Sequence, residues 1–239
     1  CHTATGHDGP VGNANLILSP GHVKQGPFEG GEYGQHSGVR SELLTSPKLC
    51  GSCHDVFMFP GLRIEQAFSE YAESPAGDGG PRCQDCHMGP VPGAPAPREN
   101  GPIAVVNGQP IGWGPHAVHR FVGPDQSIRG DFPFPDDPQA GVAGRADGLL
   151  QTQTLLENGA RLTELDIELR NGYLELGVGI ESILEGHRFP TGFTSERQAW
   201  LHVSVVDADG VTFLESGDLD AYGDLRDPHS LAVELGEAV

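Results

Sequence analysis

Hydrophobic and polar positions alternate most clearly in the last third of the chain. Leu162, Leu165, Ile167 and Leu169 lead to Asn171-Gly172, and Tyr173, Leu176 and Val178 follow. Asn-Gly tolerates the positive φ angles of a two-residue hairpin turn, so this stretch predicts two antiparallel strands. Trp200 to Val206 alternates again, Asp209-Gly210 supplies a turn, and Val211 to Leu214 returns. Short alternating strands with tight turns predict an antiparallel β-sandwich, or part of one. His202 lies on the face opposite Leu201, Val203 and Val205, and His229 follows a proline, so both read as surface residues.

Helical spacing marks three other stretches. Ala146 to Asn158 carries Leu149, Leu150, Leu155 and Leu156, with Gly159 to end it. Leu62 to Glu73 places Leu62, Ala67, Phe68 and Tyr71 near one face and stops at Ser74-Pro75. Ser41 to Leu49 predicts a short helix with Ser41 as its N-cap. Pro115 to Phe121 predicts a helical turn with His116 and His119 on one side. Residues 3–38 read as loop with a brief strand at Leu16–Leu18, and residues 75–115 as a Gly- and Pro-punctuated loop. Asp131 to Pro138 reads as an acidic, proline-rich linker. These shifts place a domain boundary near residue 145, dividing 1–145 from a linking helix and partial sandwich over 146–239.

Composition sharpens the contrast between the halves. The chain has 35 glycines and 20 prolines among 239 residues, while hydrophobic residues make up 37% and aromatic ones 7%. Loops of that kind bury little apolar surface of their own. The net charge of −19 argues against nucleic acid or an anionic membrane surface as partner, since both attract basic patches. It fits a soluble, self-repelling surface. No run of apolar residues is long enough to span a membrane.

The cysteines supply the missing core. Cys50-Gly51-Ser52-Cys53-His54 and Cys83-Gln84-Asp85-Cys86-His87 both read C-x-x-C-H, the pattern that attaches a c-type haem. The paired thiols bond to the haem vinyl groups, and the adjoining histidine is carried under the ring as proximal iron ligand. Met88 follows His87 directly and cannot easily reach the far face of the same ring, so it reads as packing. Cys1-His2 matches the last two positions of a third such motif, completed by residues upstream; a lipid-modified first cysteine and a stray thiol are the rivals. A structural zinc site built from Cys50, Cys53, Cys83 and Cys86 is also compatible with two C-x-x-C pairs. It leaves both adjoining histidines as coincidence and needs an unusually long gap.

Three haem c groups are therefore expected, with His2, His54 and His87 as proximal ligands. Low-spin iron needs a second imidazole on the far face. The candidates rank His119, His36 and His187 first, then His116, His22 and His7. His187 sits in Gly186-His187-Arg188-Phe189-Pro190-Thr191-Gly192, where glycines allow close approach and Pro190 stiffens the loop.

With Leu49 to Asp55, Cys83 to Met88, His119 to Gly123 and Gly186 to Gly192, the chain resembles the large multihaem c-type cytochromes of bacterial and archaeal respiration. Some of these are secreted and join a haem-wrapping domain to an immunoglobulin-like β-domain. The resemblance implies a haem domain of loops and short helices followed by an antiparallel β-sandwich, with closely spaced bis-histidine haems forming an electron wire. It implies an electron carrier rather than an enzyme, within a respiratory or extracellular electron-transport chain. The alternative is a multihaem oxidoreductase acting on nitrite, hydroxylamine or a sulfur oxyanion, with its catalytic haem outside this chain. Redox proteins, or further haem domains and subunits of the same cytochrome, are the implied partners, including a homo-oligomer or filament. Haem attachment through paired cysteines takes place outside the cytoplasm, so the expected location is periplasmic or extracellular.

Overall fold

The computed structural model describes residues 1–32, 34–124, 141–220 and 223–237, with the side chains of 141–146 left aside. The chain separates into two compact units, Cys1–Ser195 and Glu196–Val239. The expected linker at Asp131–Pro138 lies outside the described residues.

In the first unit the strands pair locally. Strands β1 (Ala4–His7) and β2 (Leu16–Leu18) are antiparallel, and β3 (Val23–Gly26) and β4 (Ser37–Arg40) run parallel. A 3-10 turn, Glu42–Thr45, leads to helix α1 (Pro47–Gly51). Strands β5 (Val56–Met58) and β6 (Leu62–Glu65) pair antiparallel and are followed by helices α2 (Ala67–Ala72) and α3 (Cys83–His87). A hairpin of β7 (Asn100–Val106) and β8 (Gln109–Pro115) comes next, then helix α4 (Gly141–Glu157) and a long hairpin of β9 (Ala160–Arg170) and β10 (Tyr173–Ser182). The second unit holds β11 (Val203–Val206), β12 (Thr212–Ser216) and helix α5 (Pro228–Glu234).

This corrects the expected fold class. The described chain is 33% strand and 19% helix, and its strands form separate two-stranded sheets rather than a helix-and-loop wrapping followed by a sandwich. The reason is local turn chemistry. Asn107-Gly108 and Asn171-Gly172 both adopt positive φ and close their hairpins at once, so each strand pairs with its neighbour in sequence. No sheet among the described residues gains a third strand.

Several local expectations change with it. Leu62 to Glu73 is not one helix: Leu62–Glu65 pairs with Val56–Met58, and only Ala67–Ala72 is helical. The cross-strand partner overrides the helical spacing, which is tertiary context beating propensity. Ser41 to Leu49 splits into the 3-10 turn and α1, and Ser46 rather than Ser41 caps the latter, accepting from the Lys48 amide at 3.2 Å. Residues 116–119 form no helical turn, because β8 carries extended backbone up to Pro115. The hairpin at β9 and β10 and the return at β11 and β12 form as expected.

The side-chain core is slight. Ala4 and Ala76 are the buried apolar residues among those described, whereas Ser52, Asp55, Glu65, Glu70, Gln84 and Thr152 are buried polar ones. Hydrogen bonds to these polar groups, rather than packed aliphatics, tie the elements together.

Candidate functional site

The Cys50–His54 motif is carried on and just after α1. Ser52 is fully buried, donates to the Lys48 carbonyl at 2.8 Å, and meets His7 Nε2 at 2.8 Å. Gly51 lies against α2: a Cβ there would stand 2.3 Å from the Phe68 ring, so only glycine fits. Asp55 accepts from the Ser69 hydroxyl at 2.6 Å and from Arg63 at 3.2 Å, which anchors the segment just after His54. The His54 ring is largely exposed and stands 3.9 Å from the Glu65 carboxylate. Burial pushes that carboxyl up from its ordinary range, against the Ala67 amide and the His54 ring that favour its charged form.

The Cys83–His87 motif forms α3 and is bolted to the segment of the Cys50–His54 motif. Gln84 Nε2 donates to the Ser46 carbonyl at 2.8 Å, and Arg82 to the Thr45 carbonyl at 3.1 Å. Asp85 closes a capping box on the Arg82 amide at 2.9 Å and also accepts from Arg98 at 3.1 Å. Burial works against its charge, yet the Arg82 hydrogen bonds and the two guanidinium charges hold its carboxyl below the usual range. The Cys50 and Cys83 thiols are neighbours: the Cys83 thiol lowers the Cys50 pKa, and the Cys50 thiol, with burial, raises that of Cys83. Burial first, then the nearby acidic side chains, raises Cys86.

Two histidine pairs form across long stretches of sequence. The ring centres of His2 and His119 are 6.3 Å apart with 29° between planes, and those of His87 and His187 are 6.1 Å apart with 23°. Two imidazoles that share one metal through one nitrogen each have this separation: a bond of about 2 Å on either side plus two ring radii comes to about 6 Å.

Hydrogen bonding at the other ring nitrogen agrees. Nδ1 of His2 meets the Gln25 carbonyl at 2.6 Å, Nδ1 of His119 the Ala117 carbonyl at 3.0 Å, and Nδ1 of His187 the Arg188 carbonyl at 2.9 Å. Donation from Nδ1 to a carbonyl fixes the tautomer that leaves Nε2 as a bare lone pair, the form in which histidine ligates metal. The Val122 backbone beside the His87 ring favours its charged form. Burial above all, then the neighbouring His187 ring, lowers the His87 pKa and keeps its imidazole neutral. The His87 ring also lines a cleft of about 210 Å³ with Pro90, Pro92, Val118 and Val122.

The remaining candidates sit differently. His7 spends Nε2 on Ser52 and the Lys48 carbonyl, and His116 spends Nε2 on the Pro102 carbonyl. His22 is exposed, His36 is half-buried, and His54 belongs to neither ring pair. In the second unit His202 bonds Glu215 at 2.9 Å. Among the described residues no group of three or more His, Cys, Asp and Glu side chains converges on one point. The four-thiol zinc arrangement is therefore not assembled, whereas a haem iron asks only two ligands of the protein because the porphyrin supplies four.

Sequence reasoning passed over the residues that position these rings. Glu70 on α2 accepts from the Arg188 amide at 3.1 Å and from the Thr191 hydroxyl at 2.7 Å, docking the loop that carries His187. The Ala76 amide adds a bond to the Glu185 carbonyl at 3.1 Å, and the Val118 amide one to the Met88 carbonyl at 2.8 Å. Gln84 and Asp85 lay inside the motif and were open to notice; Glu70 had no signal, since its partners lie more than a hundred residues on. No family model, no curated protein and no solved structure matches the chain.

Proposed function

We propose that this protein carries electrons through covalently attached c-type haems held on both faces by histidine. The observation that carries the reading is two pairs of neighbouring, near-parallel imidazoles, His2 with His119 and His87 with His187, each of which joins a histidine that adjoins a motif cysteine to a distant one. Carbonyl partners at Nδ1 give three of these rings the ligating tautomer.

The residues present suit the group. Cys50 and Cys53 would hold one haem with His54, Cys83 and Cys86 another with His87, and Cys1 with His2 a third. Bound haem c supplies a one-electron iron couple whose potential follows its axial ligands and burial. The protein's own part is orientation. Gln84 and Arg82 hold α1 and α3 together, so cofactors on the two motifs would be neighbours. Such a group would also bring apolar surface to a unit whose buried side chains are mostly polar.

The test is the purified protein's spectrum with two variants. A Soret band that stays with the polypeptide through acid–acetone extraction, a near-infrared band of bis-histidine iron, and loss of part of that band in His187→Ala and in His119→Ala are expected. A colourless protein overturns the haem reading, and unchanged spectra in both variants overturn the ligand pairs.

A further inference from the structure

We propose that the β9–β10 ribbon is a self-association surface, on which a second copy of this chain packs face to face. The proposal stands on the register of the ribbon and is independent of the cofactor.

Paired residues of an antiparallel ribbon share a face. Leu169 opposes Leu174, Ile167 opposes Leu176, Leu165 opposes Val178 and, beyond a bulge, Leu162 opposes Ile180. These eight aliphatic residues thus form one continuous face. The bulge is what keeps it continuous: it absorbs one extra residue of β9, so that Leu162 lies with Leu165 and not behind it. Arg170 opposes Tyr173, Glu168 opposes Glu175 and Arg161 opposes Glu181 on the other face. There Arg161 bonds Glu181 at 2.8 Å, and Arg170 pairs with Glu168 and Glu175.

The aliphatic face is open. Leu162, Leu165, Ile167, Leu169 and Ile180 are 67, 69, 56, 77 and 61% exposed. With the partly exposed Leu174, Leu176 and Val178 it presents roughly 700 Å² of apolar surface, above the few hundred Å² that monomers tolerate and close to the 800 Å² per partner of a standard interface. A lone two-stranded ribbon is marginal in water unless its apolar face is covered.

The occupant suited to this face is the face itself. It is aliphatic and carries no charge, and interfaces between identical subunits are more apolar than those of transient encounters. A two-fold axis through its middle brings aliphatic rows against aliphatic rows in an isologous contact. The net charge of −19 opposes association. The charged faces, however, point away from the contact with two sheets about 10 Å thick between them, and at physiological salt that repulsion is screened over about 8 Å.

The experiment is sedimentation equilibrium of the whole purified protein from low to high micromolar concentration, at low and at high salt. Wild type is expected to dimerise, more tightly at high salt. Ile167→Glu with Leu176→Glu, a directly opposed pair on the aliphatic face, should weaken the dimer at least 100-fold. Glu168→Gln with Glu175→Gln, the opposed pair on the charged face, should leave it intact. Should the glutamate pair fail to give a wild-type circular dichroism spectrum, Ile167→Ser takes its place with the same expectation. A wild type that is monomeric at every concentration overturns the proposal. So does a dimer that high salt disperses, or one that persists in the aliphatic-face variant.

Discussion

Glu70 and Thr191 are 121 residues apart in sequence and joined by a 2.7 Å hydrogen bond from the Thr191 hydroxyl to the Glu70 carboxylate. The same carboxylate accepts from the Arg188 amide, so one buried side chain on α2 holds both sides of the loop that presents His187 to His87. Glu70→Ala leaves a buried amide and a hydroxyl without their acceptor, a cost of about 1–3 kcal/mol each where no water replaces it. The loop is expected to loosen. Faster proteolysis near Arg188 and partial loss of the bis-histidine near-infrared band should follow, with Glu70→Gln much milder because its amide oxygen still accepts.

Gly51 is expected to tolerate no side chain. A Cβ would sit 2.3 Å from the Phe68 ring, well inside contact distance, and must push α2 away from α1. Overpacking of this kind costs about 1–3 kcal/mol. Thermal unfolding of Gly51→Ala should show the loss, and Phe68→Leu in the same chain should restore part of it by making room.

The second unit should weaken in acid. The Arg226 hydrogen bond lowers the Asp218 pKa, and the Ser230 amide lowers that of Asp227 at the N-cap of α5. A carboxyl whose folded pKa lies below its unfolded value adds stability above the unfolded pKa, about 3.9 for Asp. That stability is lost as pH falls through the folded value. Asp227 is exposed and Asp218 half-buried at the surface, so the effect is modest and screened by salt. Protection of the α5 amides, relative to their intrinsic exchange rate at each pH, is expected to fall below about pH 4, and Asp218→Asn should lower that protection at neutral pH and make it less sensitive to acid.

The Cys50 and Cys83 thiols, carried on α1 and α3, lie close enough for each to shift the other's pKa. In polypeptide prepared without haem, diamide, which takes up the two electrons and two protons released, should form a Cys50–Cys83 disulfide ahead of bonds within either C-x-x-C pair. Non-reducing peptide mapping reads this directly. Cys50–Cys53 and Cys83–Cys86 as the first products would contradict the contact between α1 and α3.

What the sequence by itself determined is what acts over a few residues. The spacing of Cys50, Cys53 and His54, and of Cys83, Cys86 and His87, is legible without any fold, because two thiols and an imidazole fall within about one turn of chain. Asn171-Gly172 announced its hairpin for the same reason, and Asn107-Gly108 offered the same signal to β7 and β8 inside a stretch read as loop. Only the tertiary structure decided which distant histidine faces which. His119 and His187 lie 117 and 100 residues from His2 and His87, and their positions rest on bonds such as Glu70 to Thr191 that no local pattern encodes. The sheets were decided there too. Alternation states that a strand has two unlike faces, but whether those faces close into a sandwich depends on edges meeting across the chain, and here each ribbon keeps to its own pair.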